Sequence, residues 1–365
     1  MARHPTNADA PQGDPASEDA VDSVDLPRAQ SHGRAALFFL FKAAVTVALL
    51  AWLFSRSEQL NAVNNPFLNP GDLSHSWLLI GVLFCGIYLV SWAFRWLIFL
   101  NLLGLPIGFR RTFQLTIAGH FLSMASFGGL AADALKAIYL IRRFPQKKGA
   151  VAIAICADHL SGLASVGIAF SLLTWTRVDE ITGGDSPIGE GALWAASGLW
   201  GAMMIGLILT VGLAHPKLMK HANSKLGFLR KNEALRNFVG AWDVFRREWR
   251  PALAACAISF PMLLSYYLVF YAGARAAHVQ TTALDLLGAM PVVDTLTALP
   301  VTVAGLGLRE TLMESLLGTL ANVSLEDSVR LSLTGFGILL IWGVIGAMTL
   351  PFLRIKKSST QSKGS

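Results

Sequence analysis

The stretch Trp77–Leu100, WLLIGVLFCGIYLVSWAFRWLIFL, runs for 24 residues and carries one charge, Arg95. About 20 apolar residues wound as a helix cross the roughly 30 Å of hydrocarbon in a bilayer. The run does not alternate polar and apolar residues, as the strands of a membrane barrel do, so it predicts a membrane-spanning helix. Five runs of the same kind flank it, at about 35–54, 149–175, 191–214, 251–273 and 330–353. Composition agrees: only 15% of the 365 residues are charged, against about 25% in an ordinary soluble domain. Soluble readings are therefore excluded, and an all-α polytopic membrane protein is expected.

Two further apolar segments, about 112–141 and 283–317, are broken by glycine and by charge. Lysine and arginine in the loops orient the spans, because cytoplasmic loops hold the excess. Loops 101–111 and 142–148 carry two and four basic residues, whereas loops 55–76, 176–190 and 274–282 carry one each. Loop 215–250 carries nine and the stretch after Leu353 carries four. Loops 101–111 and 142–148 thus both read as cytoplasmic, although segment 112–141 lies between them. A re-entrant hairpin that enters and leaves on one face satisfies this bias, and the same logic applies to 283–317. The expected architecture is about six full spans plus two Gly-broken re-entrant hairpins, eight membrane segments in all. An ordinary pair of kinked full spans is the alternative. The order span, span, hairpin, span then occurs twice, with an odd number of crossings in each half. That is an inverted repeat, an arrangement in which transporters place their substrate site beside interrupted helices.

Outside the spans, residues 1–34 are acidic and Pro-rich and read as a disordered cytoplasmic tail. Residues 35–354 form the membrane domain, and 355–365 a basic cytoplasmic tail. No cleavable signal peptide is expected, since the first apolar run begins behind the acidic tail. Residues 1–25 hold a net charge of −5 in a chain of net +7, leaving +12 on the remainder. That excess sits in short loops beside spans, so it reads as orientation and not as nucleic-acid binding. Within loop 215–250, Leu235, Phe238, Val239, Trp242 and Phe245 recur at helical spacing among arginines, which predicts a helix lying on the membrane surface. Cys85, Cys156 and Cys256 show no ligand spacing and read as small buried hydrophobes.

Ionisable residues at membrane depth cost several kcal/mol unless paired or wet, and they mark pathways by default. Lys42 and Arg95 lie near enough to span ends to snorkel. The first hairpin runs Gly119-His120 … Ser126-Phe127-Gly128-Gly129 … Asp133 … Lys136. Asp133 and Lys136 are three apart and share a helical face, so they either pair or leave Lys136 to meet a lipid phosphate. The second runs Asp294 … Pro300-Val301-Thr302-Val303-Ala304-Gly305-Leu306-Gly307-Leu308-Arg309-Glu310. There Gly305 and Gly307 turn the chain, Arg309 offers a fork suited to phosphate, and Glu310 points about 100° away around the helix. Asp158 and His159 read as a buried hydrogen-bonded pair that supports the cavity.

These motifs resemble those of a flippase-like membrane family typified by the transmembrane region of lysylphosphatidylglycerol synthase, with hopanoid-associated and archaeal lipid-glycosylation relatives. The resemblance covers roughly residues 35–350. Pro300 to Glu310 is similar to the family's P-x(3–4)-G-x-G-x-R-E signature. Gly128-Gly129 … Asp133 … Lys136 is similar to its Gly-rich acidic motif, and Asp158-His159-Leu160-Ser161-Gly162-Leu163 to its D-R-x-x-G-L motif. Lys136 and His159 stand where the family usually has arginine, and Ser126 near its usual proline. The synthase's soluble aminoacyl-transferring domain is expected to be absent.

The expectation is an integral protein of the bacterial inner membrane, with both termini cytoplasmic, that transports or otherwise handles a phosphate-bearing or modified lipid. Lys136, Arg309, Asp133, Glu310, Asp294, Gly128, Gly129, Gly305 and Gly307 are its candidate binding residues, and His120, Asp158 and His159 its supporting polar groups. No catalytic residue, metal or cofactor is assigned. Two alternatives stand beside it: a non-transporting membrane partner of lipid- or glycan-synthesising enzymes, and an intramembrane lipid-modifying enzyme.

Overall fold

The computed structural model describes Val47 and residues 72–125, 129–184, 186–214, 247–299, 301–303 and 305–353. The acidic tail, the run at 35–54 apart from Val47, the predicted surface helix at 235–245, Gly128, Pro300 and the basic tail lie outside the described residues. All regular structure among the described residues is helical. The helices are α1 (His75–Leu102), α2 (Phe109–Ala125), α3 (Gly129–Arg143), α4 (Lys148–Ala169), α5 (Val178–Thr182), α6 (Pro187–Ala214), α7 (Trp249–Ala276), α8 (Ala283–Thr297), α9 (Leu308–Ala321) and α10 (Leu325–Thr349). A π-turn at Phe170–Thr174 and a 3-10 turn at Trp175–Arg177 extend α4 to α5.

Among the described residues four stretches are long and apolar enough to cross a membrane: His75–Leu102, Pro145–Thr182, Trp249–Ala276 and Leu325–Phe352. Each contains one of the predicted runs. The run at 191–214 falls within α6, which is 28 residues long. The second broken segment is interrupted at Gly305–Gly307 as predicted, whereas in the first α2 and α3 flank residues 126–128, which lie outside the described residues. The two segments yield helices of 17 and 15 residues in the first and 15 and 14 in the second. At 1.5 Å per residue none exceeds about 26 Å, short of a full hydrocarbon core.

Small residues set how closely the long helices approach. In lipid, helices associate through close packing and not through expulsion of water, so glycine and alanine gather at the contacts. A methyl group on Gly273 of α7 would lie 2.8 Å from the backbone nitrogen of Gly335 on α10. One on Gly81 of α1 would meet Ile338 of α10 at 2.6 Å and Ala272 of α7 at 3.2 Å. These contacts bring α1, α7 and α10 together as a frame.

The hairpins insert into this frame from opposite ends. At one end, Nζ of Lys147, just past α3, donates to the carbonyl of Gly104, just before α2, at 2.8 Å. Nearby, Arg111 at the start of α2 donates to the carbonyl of Phe352, beyond α10, at 3.0 Å. Both limbs of the α2–α3 hairpin therefore open at the same end of the body. At the other end, Arg177 below α4 meets Asp285 in the first turn of α8 at 2.9 Å. The last turns of α9 close on the same region, with Ser315 and Thr319 against Gly189 and Gly184. Thr282 caps α8 in a reciprocal box with Asp285, satisfying two otherwise orphaned backbone donors.

Candidate functional site

Two polar constellations lie inside the helical body. The first surrounds Asp158 of α4. Its Oδ1 accepts from Arg95 Nε at 2.9 Å and from Arg95 Nη2 at 2.7 Å. Its Oδ2 accepts from Trp92 Nε1 at 2.9 Å and from Lys136 Nζ at 3.1 Å. Arg95 also donates to Ser259 of α7 at 3.1 Å. The Lys136 ammonium lies 4.6 Å and 4.5 Å from the ring centres of Trp92 and Trp96. Arg95, Lys136 and Asp158 are all buried. A buried carboxylate holds such a place only when most of its lone pairs are filled by good donors, and here four donors converge on it.

This arrangement corrects three expectations. Arg95 does not snorkel: it turns inward, because Asp158 offers a better partner than the interface does. Lys136 pairs with Asp158 and neither with Asp133 nor with the outside, since its long stem reaches across to α4. Asp158 and His159 do not pair with each other. Successive residues diverge by about 100° on a helix, so Asp158 faces the core while His159 faces outward and meets Asp133, Nε2 to Oδ2, at 2.7 Å. A fourth correction concerns the cysteines. Cys85 is buried, but Cys156 is exposed and Cys256 intermediate.

The second constellation is a cavity of about 280 Å³ to which both hairpins contribute. His120, Ser123 and Met124 line it from the inner end of α2, and Asp294 and Arg309 from the inner ends of α8 and α9. Tyr88 of α1, Tyr266 of α7 and Phe336 of α10 complete its mixed polar and aromatic wall. His120 Nε2 lies 3.2 Å from the carbonyl of Leu339, which fixes the ring.

The turn before α9 is built by glycine. Gly305 and Gly307 have φ of 78° and 82°, values that cost an L-residue roughly 1–2 kcal/mol. A methyl group on Gly305 would also lie 3.1 Å from Nη2 of Arg309, so this glycine leaves room for the guanidinium. Arg309 lies over Phe270 at 5.3 Å and Phe336 at 5.7 Å. Glu310 is wholly buried and turned away from the cavity. It accepts from the Gly307 backbone N–H and from the Ser332 hydroxyl, closing the helix start onto α10. On the other hairpin Gly129 is the first residue of α3.

Of the sequence candidates, the structure gathers Asp294, Arg309 and His120 at one cavity, with Gly305 and Gly307 behind Arg309. It places Lys136 and Asp158 in the buried cluster, and Asp133 with His159 on the outer wall. Arg95 was missed as a member of the cluster, as were Tyr88 and Tyr266. A signal for Arg95 existed: Trp92, Arg95 and Trp96 stand at spacings of three and four, one face of a helix. The two constellations touch at Gly162, which lines the cavity. A methyl group there would lie 3.5 Å from Nη1 of Arg95.

An all-helical body with membrane-length spans, two glycine-broken hairpins and ionisable groups at depth defines an integral membrane protein. Residues 39–354 match the model of the family described as "Lysylphosphatidylglycerol synthase TM region". The chain belongs to that family, whose membrane domain is related to lipid handling. A search of curated proteins found no match.

Proposed function

We propose that the protein is a lipid transporter of the flippase type in the bacterial inner membrane, with a phosphate-bearing headgroup held in the cavity between the hairpin tips. The observation that carries this reading is the shared cavity, to which the two hairpins bring Arg309, Asp294, His120 and Ser123. At about 280 Å³ it lies at the low end of small-molecule sites. It suits a headgroup and not two acyl chains, which stay in the lipid. Arg309 supplies the planar donor fork for phosphate. Asp294 supplies an acceptor for a cationic or hydroxylated portion. Lys136, Asp133 and Glu310 act one step back, holding the walls.

On this reading the α2–α3 and α8–α9 hairpins are re-entrant. The end bearing Arg110, Arg111, Arg142, Arg143, Lys147 and Lys148 faces the cytoplasm, and both termini lie there. With the run at 35–54 counted as a span, there are eight segments. The paired roles of α1 with α7, and of one hairpin with the other, support an inverted repeat.

The test is reconstitution in liposomes with reducible fluorescent phospholipid. Wild-type protein is expected to expose inner-leaflet probe to a membrane-impermeant reductant, and Arg309→Ala to reduce the rate at least tenfold while the protein stays folded. Rates equal to protein-free liposomes, with or without an imposed ion gradient, refute the transport reading. Full activity in Arg309→Ala refutes the assignment of the phosphate to the cavity.

A further inference from the structure

On the outer wall of the body, between α3 and α4, Asp133 and His159 sit with side chains 20% and 53% exposed. Their neighbours Leu130, Leu160 and Leu163 are exposed as well, so the pair interrupts an apolar surface. His159 lies midway along α4, far from either end of a stretch long enough to cross the membrane. Net charge at that depth is costly, so the charge sum of the surroundings decides the state of the pair.

Arg95 and Lys136 bring two positive charges, and Asp158, which binds both, brings one negative. The buried cluster alone is therefore one positive charge in surplus. Asp133, one turn before Lys136 on α3, is the carboxylate that balances it. With His159 neutral, these five side chains sum to zero. A proton on His159 leaves the sum at one positive charge. Asp133 acts on His159 directly through their contact, and Asp158, with Lys136 and Arg95 bound to it, is the adjacent residue of α4. With the Nε2 hydrogen donated to Asp133, the incoming proton binds Nδ1.

A surplus positive charge in a medium of low polarity is stabilised most by an anion arriving with it. The place for that anion adjoins the cluster, because Gly162 separates the Arg95 guanidinium from the cavity by less than a side chain's width. Linkage is reciprocal: an anion that prefers the protonated state tightens proton binding by the factor by which the proton tightens its own. Histidine suits the role, since its unperturbed titration falls near physiological pH.

We propose that the Asp133–His159 pair is a proton-binding site, and that its proton is taken up together with an anionic, phosphate-bearing headgroup in the adjoining cavity. This rests on the lipid-handling reading for the identity of the anion. It differs from that reading in assigning a second ligand, H⁺, to residues outside the cavity.

The experiment is a titration of ¹⁵N-histidine-labelled full-length protein in nanodiscs of phosphatidylcholine, and of phosphatidylcholine and phosphatidylglycerol in equal parts. The His159 ring signals are assigned by their loss in His159→Gln, which alters a half-exposed side chain. His75, exposed at the start of α1, reports the change in surface potential. The expected result is a His159 midpoint raised by the anionic lipid about one pH unit more than that of His75, a tenfold gain in proton affinity. Asp133→Asn is expected to lower the His159 midpoint in both lipids. A His159 shift no larger than that of His75 overturns the proposal. The measurement needs no transport. An excess shift without scrambling in liposomes upholds the linkage and removes the transport reading, whereas scrambling without an excess shift does the reverse.

Discussion

The two hairpins have similar lengths and similar glycine breaks, yet they use their charges in opposite ways. In α2–α3 the two charged residues at membrane depth, Asp133 and Lys136, are both committed to α4, Lys136 inward to Asp158 and Asp133 outward to His159. In α8–α9 the adjacent pair is split between site and scaffold. Arg309 lines the cavity, and Glu310 ties the helix start to α10 through Ser332. The first hairpin is thus held by ion pairs along its flank, and the second by its cap and a buried hydrogen bond at its tip. Charge at depth is therefore no guide to a binding role until its partners are known.

The sharpest way to break the comparison is at Asp158. Asp158→Asn leaves Arg95 and Lys136 buried without their shared counter-charge, and removing one partner of a buried ion pair costs about 3–5 kcal/mol. Thermal unfolding in detergent is expected to fall accordingly, with the loss concentrated at α3. Replacing Arg95, Lys136 and Asp158 together by apolar residues of similar volume is expected to recover most of that loss. Recovered stability with unrecovered transport would separate the cluster's structural role from its functional one.

A smaller effect is expected on the second hairpin. Gly305→Ala forces a methyl group into a positive-φ position, at roughly 1–2 kcal/mol, and crowds Arg309. Transport is expected to drop more than stability, and an unchanged rate would show that the guanidinium does not need its present position. The least perturbing test concerns topology. Single cysteines at Gly108 and Arg142 are expected to react with a membrane-impermeant reagent from the same, cytoplasmic side. Labelling from opposite sides would turn the first hairpin into two full crossings.

Much of this was legible in the sequence. The runs at 77–100, 149–175, 191–214, 251–273 and 330–353 each fall within a helical stretch, because in lipid an apolar run of that length has few alternatives to helix. The break at Gly305–Gly307 was equally readable, since glycine adopts backbone angles other residues avoid. Partner choice was not. Spacing places Asp133 and Lys136 on one face of α3, but only the packing of α1 and α4 decides which neighbour each finds. The inward turn of Arg95 depends on Asp158, 63 residues later, and no local pattern encodes that distance. Tyr88 and Tyr266 lay unnoticed in apolar runs, where aromatic residues are expected for packing alone.

The bonds that anchor the base of each hairpin have a mechanical consequence. Lys147 to Gly104 pins one hairpin and Arg177 to Asp285 pins the other, at opposite ends of the body. A rod held at its base moves most at its far end. A helix about 22 Å long that tilts by about 10° carries its tip roughly 4 Å, more than a water diameter, while the base scarcely shifts. The inner ends of α2 and α8 line the same cavity, so small opposed tilts add there and cancel at the rims.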